Sequence, residues 1–216
     1  PLFGFALRAK EAAGLYLTGS RRPFAFQGVK LRLGPGRLLP GKEVAPAPPP
    51  PPGPFAPLEA RRDYLDHLRK SAQGLALKRG VVYLDAMGGA GGGILGQVLK
   101  RLEAPVELRE LHPLPHPLFY GVAPDPRPEH LRTLRLLLRE AKPPALGLAL
   151  DGDADRLGVY LPGGEALPGD QALARLREAA QGREVEALGE GAYRFPWHLE
   201  EPDPFLAALL LMGVLL

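Results

Sequence analysis

The sequence contains no cysteine and no asparagine, and it has only two methionines and one tryptophan. Without cysteine, the chain cannot form disulfide bonds, use a thiolate in catalysis or build the zinc and iron–sulfur sites that depend on cysteine ligands. No secretory signal is recognisable at its start, and its final apolar run, residues 205–216, is too short to cross a bilayer. We therefore expect a cytoplasmic protein that does not bind membranes.

Charge of one sign does not dominate the chain either. Lysine and arginine total 27 against 24 aspartates and glutamates, and the two signs are interspersed. No basic tract is typical of a nucleic-acid-binding arm, and Arg127, Arg132, Arg135 and Arg139 are predicted to lie on the solvated face of a helix. With 45% hydrophobic and 24% charged residues, the composition is that of an ordinary soluble globular protein. The interspersed charges predict that it has no nucleic-acid partner.

Glycine and proline, with 27 and 26 residues, are concentrated in loops and linkers and so divide the chain. Residues 1–44 are predicted to form a partial first domain, with a helix at 5–13 and strands at 15–18 and 28–33. Residues 45–57 are predicted to be a linker. Its run of prolines favours a stiff polyproline-type spacer, with a ligand for SH3 or WW domains as the alternative.

The stretch after the linker has the pattern of an α/β fold. Residues 58–165 are predicted to form a central domain and residues 166–216 a partial third domain. Apolar strands alternate with helices at short spacing in the central domain, which is typical of a parallel sheet covered by helices. The predicted elements are helices at 58–73, 94–102 and 128–141, strands at 80–85, 106–111 and 146–150, and, in the third piece, helices at 170–180 and from about residue 204.

Three aspartates, Asp151, Asp153 and Asp155, follow the last of these strands at alternate positions. The carboxyl ends of parallel strands build ligand sites, and converging carboxylates repel one another unless a cation lies between them. Hard oxygen ligands favour Mg²⁺ or Ca²⁺. An EF-hand is excluded, because Arg156 and Pro162 stand where it needs glycine and glutamate. An acidic, solvated loop is the alternative.

Two further loops carry chemistry-bearing residues. Residues 17–23, LTGSRRP, contain Ser20, which is suited to accept a phosphoryl group, and two arginines that suit an anion. Residues 88–93 are rich in glycine but lack the Gly-Lys-Ser/Thr of a P-loop and the spacing of a dinucleotide fingerprint. We interpret this glycine run as a strand-to-helix turn rather than a phosphate cradle.

Taken together, these loops resemble the α-D-phosphohexomutase family, the phosphoglucomutases and phosphomannomutases. Residues 17–23, with QGVK at 27–30 behind them, resemble the family's phosphoserine loop, T-A-S-H-N-P followed by N-G-x-K. Residues 151–156, DGDADR, match its metal loop, D-G-D-x-D-R. Residues 124–129, PDPRPE, resemble its P-N-P-x-P-E segment, and residues 83–91, YLDAMGGAG, its second-domain opening, D-x-M-x-G-A-G. The motifs span most of the chain in the family's order.

The resemblance implies a fold, a reaction and roles for several residues. The fold is α/β and phosphohexomutase-like: mixed or parallel sheets flanked by helices, with one complete central domain and partial flanking domains. Ser20 would carry the phosphoryl group, and Lys30 would be the general acid or base beside the reacting hydroxyl. The three aspartates would hold Mg²⁺, which neutralises charge on the transferring group. The substrate would be a hexose phosphate, interconverted between its 1-phosphate and 6-phosphate through a bisphosphate.

Some positions depart from the family's pattern. Arg21 and Arg22 replace its His-Asn; they and Arg156 are candidates for binding substrate phosphate or holding the phosphoserine. Glu190 lies in a segment similar to the sugar-recognition loop G-E-x-S-G-H and is a candidate hydroxyl acceptor, with a plain surface carboxylate as the alternative. That loop lacks the family's serine and histidine, so glucose and mannose phosphates both stay open, and no feature of the sequence selects an oligomeric state.

The family's opening segment, most of its third domain and its whole fourth, phosphate-binding domain have no counterpart in the sequence. The pattern of the third domain stops near Arg177 and resumes at Leu188, so we expect the biological protein to be longer. Two other functions stay open. One is a catalytically impaired homologue that binds phosphosugars, and the other is a metal-stabilised interaction module whose polyproline run engages partners.

Overall fold

The computed structural model describes residues 1–33, 38–43, 53 and 56–216. In these residues the chain forms three sheets, of three, four and three strands, with α-helices packed between and around them. The four-stranded sheet lies in the middle of the sequence. The architecture is thus mixed α/β, as the sequence predicts.

The amino-terminal sheet follows one helix. Helix α1 spans Leu2–Lys10, and strands β1 (Gly14–Thr18) and β2 (Gly28–Arg32) pair antiparallel, with the short β3 (Leu38–Leu39) added at the edge of β2. Because side chains alternate along a strand, Tyr16, Lys30 and Arg32 share one face and the leucines and valine between them share the other. The helix predicted at 5–13 is shifted by three residues at each end. It begins at Leu2 and ends at Lys10, because Glu11 adopts a left-handed conformation.

The central sheet has the strand order β5-β4-β6-β7. Strands β4, β5 and β6 are parallel, whereas β7 pairs antiparallel with β6, which makes the sheet mixed. The strands β4, β5 and β6 therefore end at the same edge, where β6 runs into the aspartate loop. In chain order the elements of this part are α2 (Arg61–Ser71), β4 (Gly80–Asp85), α3 (Ile94–Arg101), β5 (Val106–Leu111), α4 (Arg132–Glu140), β6 (Ala145–Leu150) and β7 (Leu157–Tyr160).

Both faces of β6 are buried, which explains its continuous apolar sequence. Leu146, Leu148 and Leu150 point into the main core, which α2 and α3 also supply. The other face carries the small residues Gly147 and Ala149. Their size lets α4 pack closely on that side, where Leu138 contacts the Gly147 backbone.

The carboxyl-terminal part completes the main core. It consists of α5 (Gly169–Ala179), the antiparallel strands β8 (Glu186–Gly189), β9 (Ala192–Phe195) and β10 (Leu199–Pro202), and α6 (Pro204–Leu215). Helix α6 is apolar on all sides and contacts α2, α5, β6, β7 and β9, so it is buried along most of its length.

A buried polar network fixes the start of α6. Asp203 caps the helix by accepting hydrogen bonds from the backbone N–H groups of Phe205 and Leu206. Its other oxygen lies 2.8 Å from the Tyr64 hydroxyl of α2 and 2.8 Å from Nε2 of His198. These bonds satisfy the carboxylate inside the core and tie α2 to α6.

The central strands β4 and β5 have the predicted bounds. Two other predictions are wrong in part. The helix predicted at 58–73 begins only at Arg61, and Leu58 is exposed. The helix predicted at 128–141 is a 3-10 turn at Pro128–His130 followed by α4. The three strands β8–β10 were not predicted at all.

Most of the predicted linker, residues 45–52 and 54–55, lies outside the described residues. The division into domains at residues 44, 57 and 165 stays a prediction. Among the described helices, none combines the length and apolar character needed to span a membrane.

Candidate active site

The aspartate loop connects β6 to β7 and is closed by its own first carboxylate. Oδ1 of Asp151 accepts hydrogen bonds from the backbone N–H groups of Asp155 at 3.0 Å and Arg156 at 3.1 Å. Asp151 and Asp153 are buried and Asp155 is partly buried. One oxygen from each of the three carboxylates lies within 4.8 Å of the others. Within the described ranges, this is the one such group of three acidic or metal-ligating side chains.

The serine loop packs directly against the aspartate loop. A Cβ at Gly152 would lie 2.4 Å from the backbone oxygen of Ser20, so a larger residue at position 152 would push the two loops apart. Gly152 also accepts a hydrogen bond from the N–H of Ala90, in the turn formed by the glycine run, and donates one to the Pro124 oxygen. All four motifs found in the sequence therefore meet at this loop.

Ser20 lies between β1 and β2 and faces the carboxylates. Its Oγ is 3.4 Å from Oδ2 of Asp151. Thr18 supports this position by accepting the Ser20 N–H at 2.8 Å and donating its hydroxyl to Asp153 at 3.0 Å. Ser20 has a φ of 50°, in the left-handed region that residues other than glycine rarely adopt.

Lys30 reaches the same carboxylates from β2. Its Nζ donates to Oδ2 of Asp153 at 2.8 Å and to Oδ2 of Asp155 at 3.2 Å. One ammonium group thus bridges two of the three carboxylates and offsets part of their mutual repulsion. Since Lys30 and Asp153 are 123 residues apart in sequence, the contact joins the amino-terminal sheet to the central one.

The carboxylates differ in their ease of ionisation. Burial, followed by the charges of Asp155 and Asp153, raises the pKa of Asp151 well above its usual value. Burial also opposes ionisation of Asp153, but the hydrogen bond and charge of Lys30 outweigh it and lower the pKa of that carboxyl. Burial disfavours the charged form of Lys30, yet its two carboxylate partners raise its pKa, so it is an ammonium at neutral pH.

Tyr16 borders the cluster from β1. Burial and the nearby charge of Asp153 raise its pKa to about 12, so its hydroxyl stays neutral at physiological pH.

The carboxylate cluster suits a hard divalent cation. Oδ1 of Asp153 and Oδ1 of Asp155 are buried and have no hydrogen-bond partner among the described residues. Buried carboxylate oxygens without partners are costly, and a cation removes that cost. Three carboxylates with no nitrogen or sulfur donor favour Mg²⁺ or Ca²⁺ over softer metals.

Beside the cluster, three arginines surround Glu190, which lies in the turn between β8 and β9. Nη1 of Arg156 donates to the Glu190 backbone oxygen, at 2.6 Å. Arg21 and Arg127 approach the same carboxylate oxygen, Oε2, at 3.8 Å and 3.4 Å. Arg22 is placed differently: it is exposed, and its guanidinium lies over the ring of Phe26.

Three residues at the site were not predicted from the sequence: Thr18 and Tyr16, which border the carboxylate cluster, and Arg127. Arg127 was predicted to lie on a solvated helix face, but it precedes α4 in a loop and forms ion pairs with Asp125 and Glu190. Its place in the PDPRPE segment, which resembles a family motif, is the signal that could have identified it.

Comparisons with known proteins show which proteins the chain is similar to. Residues 62–164 match the family model of phosphoglucomutase/phosphomannomutase, alpha/beta/alpha domain II. A phosphoglucomutase of Neisseria meningitidis serogroup B is 30% identical over 184 residues, which cover 80% of this chain and 38% of that protein. The chain thus spans well under half the length of this curated relative.

Solved structures show the same fold. A crystal structure from Thermus thermophilus, provisionally named a phosphomannomutase, aligns with all of this chain and 62% of its own, with a TM-score of 0.84 and 30% identity. The N-acetylphosphoglucosamine mutase of Aspergillus fumigatus, solved with GlcNAc-6P and magnesium, shares the fold at a TM-score of 0.51 and 16% identity, over 85% of this chain and 52% of that one. The chain belongs to the α-D-phosphohexomutase family, the phosphoglucomutases and phosphomannomutases.

Proposed function

We propose that this chain carries the phosphoserine and the metal site of an enzyme that interconverts hexose 1-phosphates and hexose 6-phosphates. One observation carries the proposal: Ser20, Lys30 and Thr18 all contact the cluster of three carboxylates. Phosphoryl transfer depends chiefly on positioning and on neutralising charge, and this cluster offers a nucleophile, an ammonium group and a cation site together.

The three aspartates would hold Mg²⁺. When bound, this ion supplies charge neutralisation for the phosphoryl group that moves to or from Ser20. The unpartnered oxygens of Asp153 and Asp155 support this assignment, as does the magnesium in the A. fumigatus mutase that shares the fold.

Lys30 is suited to move the proton. When phosphoserine donates its group, the bond from phosphorus to Ser20 Oγ breaks and a bond from phosphorus to a sugar hydroxyl oxygen forms. The Lys30 ammonium gives a proton to the departing Oγ, and the amine then accepts the proton that the sugar hydroxyl loses. Lys30 ends the step protonated, so the reverse step, which returns a phosphoryl group from the bisphosphate to Ser20, uses the same residue.

The substrate would be a glucose or mannose phosphate. A phosphoglucomutase and a protein provisionally named a phosphomannomutase are each 30% identical to this chain. The two sugars differ at a single hydroxyl group, so both remain within the proposal. A matched pair of assays with the two 1-phosphates would decide between them.

Phosphorylation of Ser20 is the direct test. The sequence has only two serines, Ser20 and Ser71, so the phosphate can be located by mass spectrometry of peptides. After incubation with glucose 1,6-bisphosphate and Mg²⁺, we expect phosphate on Ser20 and none on Ser71. Ser20→Ala should abolish the modification. Binding of the bisphosphate with no phosphate on Ser20 would instead support the catalytically impaired homologue.

The aspartate cluster can be tested with a matched pair of variants. Asp153→Asn should slow phosphorylation of Ser20 by at least about a hundredfold, because it removes a cation ligand and a partner of Lys30. Asp170→Asn, an exposed aspartate at the start of α5, is the control and should leave the rate unchanged. Equal rates in the two variants would contradict the proposed metal site, and a loss of thermal stability alone would favour the metal-stabilised interaction module.

A further inference from the structure

A cavity of about 260 Å³ lies at the edge of the central sheet where β4 and β5 end. Its walls come from the end of β4, the loop after β5 and the start of α4. The lining residues are Asp85, Met87, His112, Phe119, Tyr120, Val122, His130, Arg132 and Thr133. None of these nine belongs to the candidate active site, so the proposed phosphoryl transfer gives this cavity no role.

Asp85 and His112 form a carboxylate–imidazole pair in this cavity. Asp85 is buried at the end of β4, and its Oδ1 lies 2.9 Å from Nδ1 of His112, the residue after β5. The same oxygen accepts the Met87 N–H at 2.8 Å, which fixes the carboxylate. Because a carboxylate only accepts hydrogen bonds, Nδ1 of His112 carries a proton. A ligand is therefore bound through Nε2, and Asp85 balances the charge when the ring gains a second proton.

His130 has the same arrangement just before α4. Its Nδ1 lies 3.0 Å from the backbone oxygen of Asp125, so this nitrogen also donates. Among the described residues, Nε2 has no hydrogen-bond partner in His112 or in His130. The protein thus orients both rings and leaves one nitrogen of each free for a ligand.

Two further donor side chains, those of Arg132 and Thr133, come from the first turn of α4. Both are exposed, and neither has a hydrogen-bond or ion-pair partner in the part of the chain that the structure describes. The first turn of α4 contains no acidic residue that would compete for them. Of the nine lining residues, Asp85 alone carries negative charge, and His112 already engages it. The cavity therefore suits an anion.

The backbone around the cavity is strained. Nine described residues other than glycine have a positive φ. Three of them follow the ends of α1, α3 and α5, and two, Ser20 and Ala154, lie at the candidate active site. The other four all line the cavity, with φ between 46° and 54°: Met87, His112, Phe119 and Tyr120. Strain of this kind concentrates at active sites and ligand-binding sites.

We propose that this cavity binds a phosphate monoester through Arg132, Thr133 and Nε2 of the two histidines. Four donor groups exceed what the two oxygens of a carboxylate need and suit the three terminal oxygens of a phosphate monoester. The organic group contacts the apolar part of the wall, where Tyr120 is 45% exposed and Val122 is 40% exposed. This inference goes beyond the proposed function and does not depend on it.

The test is NMR of the whole chain with ¹³C-labelled histidine, since five histidines give only five signals to assign. Phenyl phosphate is titrated at constant pH and ionic strength, without Mg²⁺. The signals of His112 and His130 should move with one common affinity, while that of the buried His198 stays in place. Inorganic phosphate should bind at least about threefold more weakly, because it lacks the group that covers the apolar wall.

A matched pair of variants tests the anion contact. Arg132→Gln should weaken binding of phenyl phosphate about tenfold, the effect of losing one charge-assisted contact. Arg139→Gln removes the same charge from the far end of α4, is exposed and does not line the cavity, so it should leave the affinity unchanged.

Three results would contradict the proposal in different ways. If the His112 and His130 signals do not respond to phenyl phosphate, or if Arg132→Gln and Arg139→Gln bind it alike, the site is wrong. Equal affinities for phenyl phosphate and inorganic phosphate would overturn the monoester as the ligand. Because both signals report from outside the candidate active site, none of these results depends on whether Ser20 becomes phosphorylated.

Discussion

The central sheet and the amino-terminal sheet are built in opposite ways. Every residue of β6 is buried, and helices cover both of its faces. In β1 and β2, one face carries Tyr16, Lys30 and Arg32, which contact the rest of the protein. The other face leaves Leu17 67% exposed and Val29 57% exposed. The central sheet is therefore held by apolar packing on both faces. The amino-terminal sheet contacts the aspartate loop and β10 through ion pairs, and it contacts α1 through the stacked rings of Tyr16 and Phe3.

This difference determines how firmly the candidate site is assembled. A fully buried leucine contributes about 1.5–3 kcal/mol to the free energy of unfolding. An ion pair gains much less, because it must offset the cost of removing both charges from water. The aspartates belong to the firmly packed central domain, but Ser20 and Lys30 belong to the amino-terminal sheet, which side-chain ion pairs help to hold in place. We expect the site to lose its geometry before the central domain unfolds.

The largest expected effect is in the central core. Leu148→Ala should lower the free energy of unfolding by about 3 kcal/mol, because Leu148 is fully buried and the change leaves a cavity beneath the sheet. Leu17→Ala, at an exposed position, should change it by less than about 0.5 kcal/mol. Chemical denaturation measures both values. Similar losses in the two variants would mean that the face of β1 and β2 carrying Leu17 is buried in solution.

A smaller, local effect is expected at the ion pair that joins the amino-terminal sheet to β10. Nη1 of Arg32 lies 2.8 Å from Oε1 of Glu201 on β10, and both side chains are largely buried. Glu201→Gln should leave the Arg32 charge without a counter-ion and loosen β2. Hydrogen exchange of the β2 amides should then be about tenfold faster, while exchange in β6 stays unchanged.

The neighbouring Glu200→Gln is the control for this change, because Glu200 is exposed on the same strand. It should leave exchange in both sheets as in the unmodified protein. Faster exchange in β6 after Glu201→Gln would show that the two sheets unfold together and would contradict the comparison.

The smallest effect concerns pH at the contact between α1, α2 and β10. The ring of His67 on α2 stacks on that of His198 at 4.4 Å, and Arg8 of α1 donates to the His198 backbone oxygen. Burial, then the charges of His198 and Arg8, lowers the pKa of His67 below 6.5, although a hydrogen bond to the His198 backbone and the charge of Asp203 act the other way.

Because the unfolded chain binds this proton more readily, stability should decrease slightly as the pH falls below about 6.5. His67→Gln should make the curve of unfolding free energy between pH 7 and pH 5 shallower. His130→Gln is the control, since the His130 ring bonds to the Asp125 backbone outside this contact. Identical slopes in the His67→Gln variant and the unmodified protein would contradict the prediction.

The sequence was most informative where local chemistry decides the structure. Strands β4 and β5 have the predicted bounds because turn-forming residues enclose short runs suited to strands, and the aspartate loop was recognised from its spacing alone. The apolar character of Leu58 predicts a place on the buried face of a helix, but α2 begins only at Arg61 and Leu58 is exposed. The strands β8–β10 are only four residues each, too short for alternation to reveal.

The site could be predicted only as separate loops. The convergence of Arg21, Arg127 and Arg156 on Glu190 joins four segments that are far apart in sequence, and no local pattern reports such a contact. The bridge from Lys30 to Asp153 and Asp155 is equally non-local. The family resemblance predicts that these residues share a site, but only the three-dimensional structure gives the distances between them.

The position of Lys30 has a consequence for how the two sheets stay together. Its ammonium group acts as a resident counter-ion, so moving β2 away would leave the aspartates facing one another with less positive charge between them. Separation is thus penalised at the candidate site itself. The strand that carries Lys30, the proposed proton donor, is retained by the same negative charge that the proposed chemistry requires.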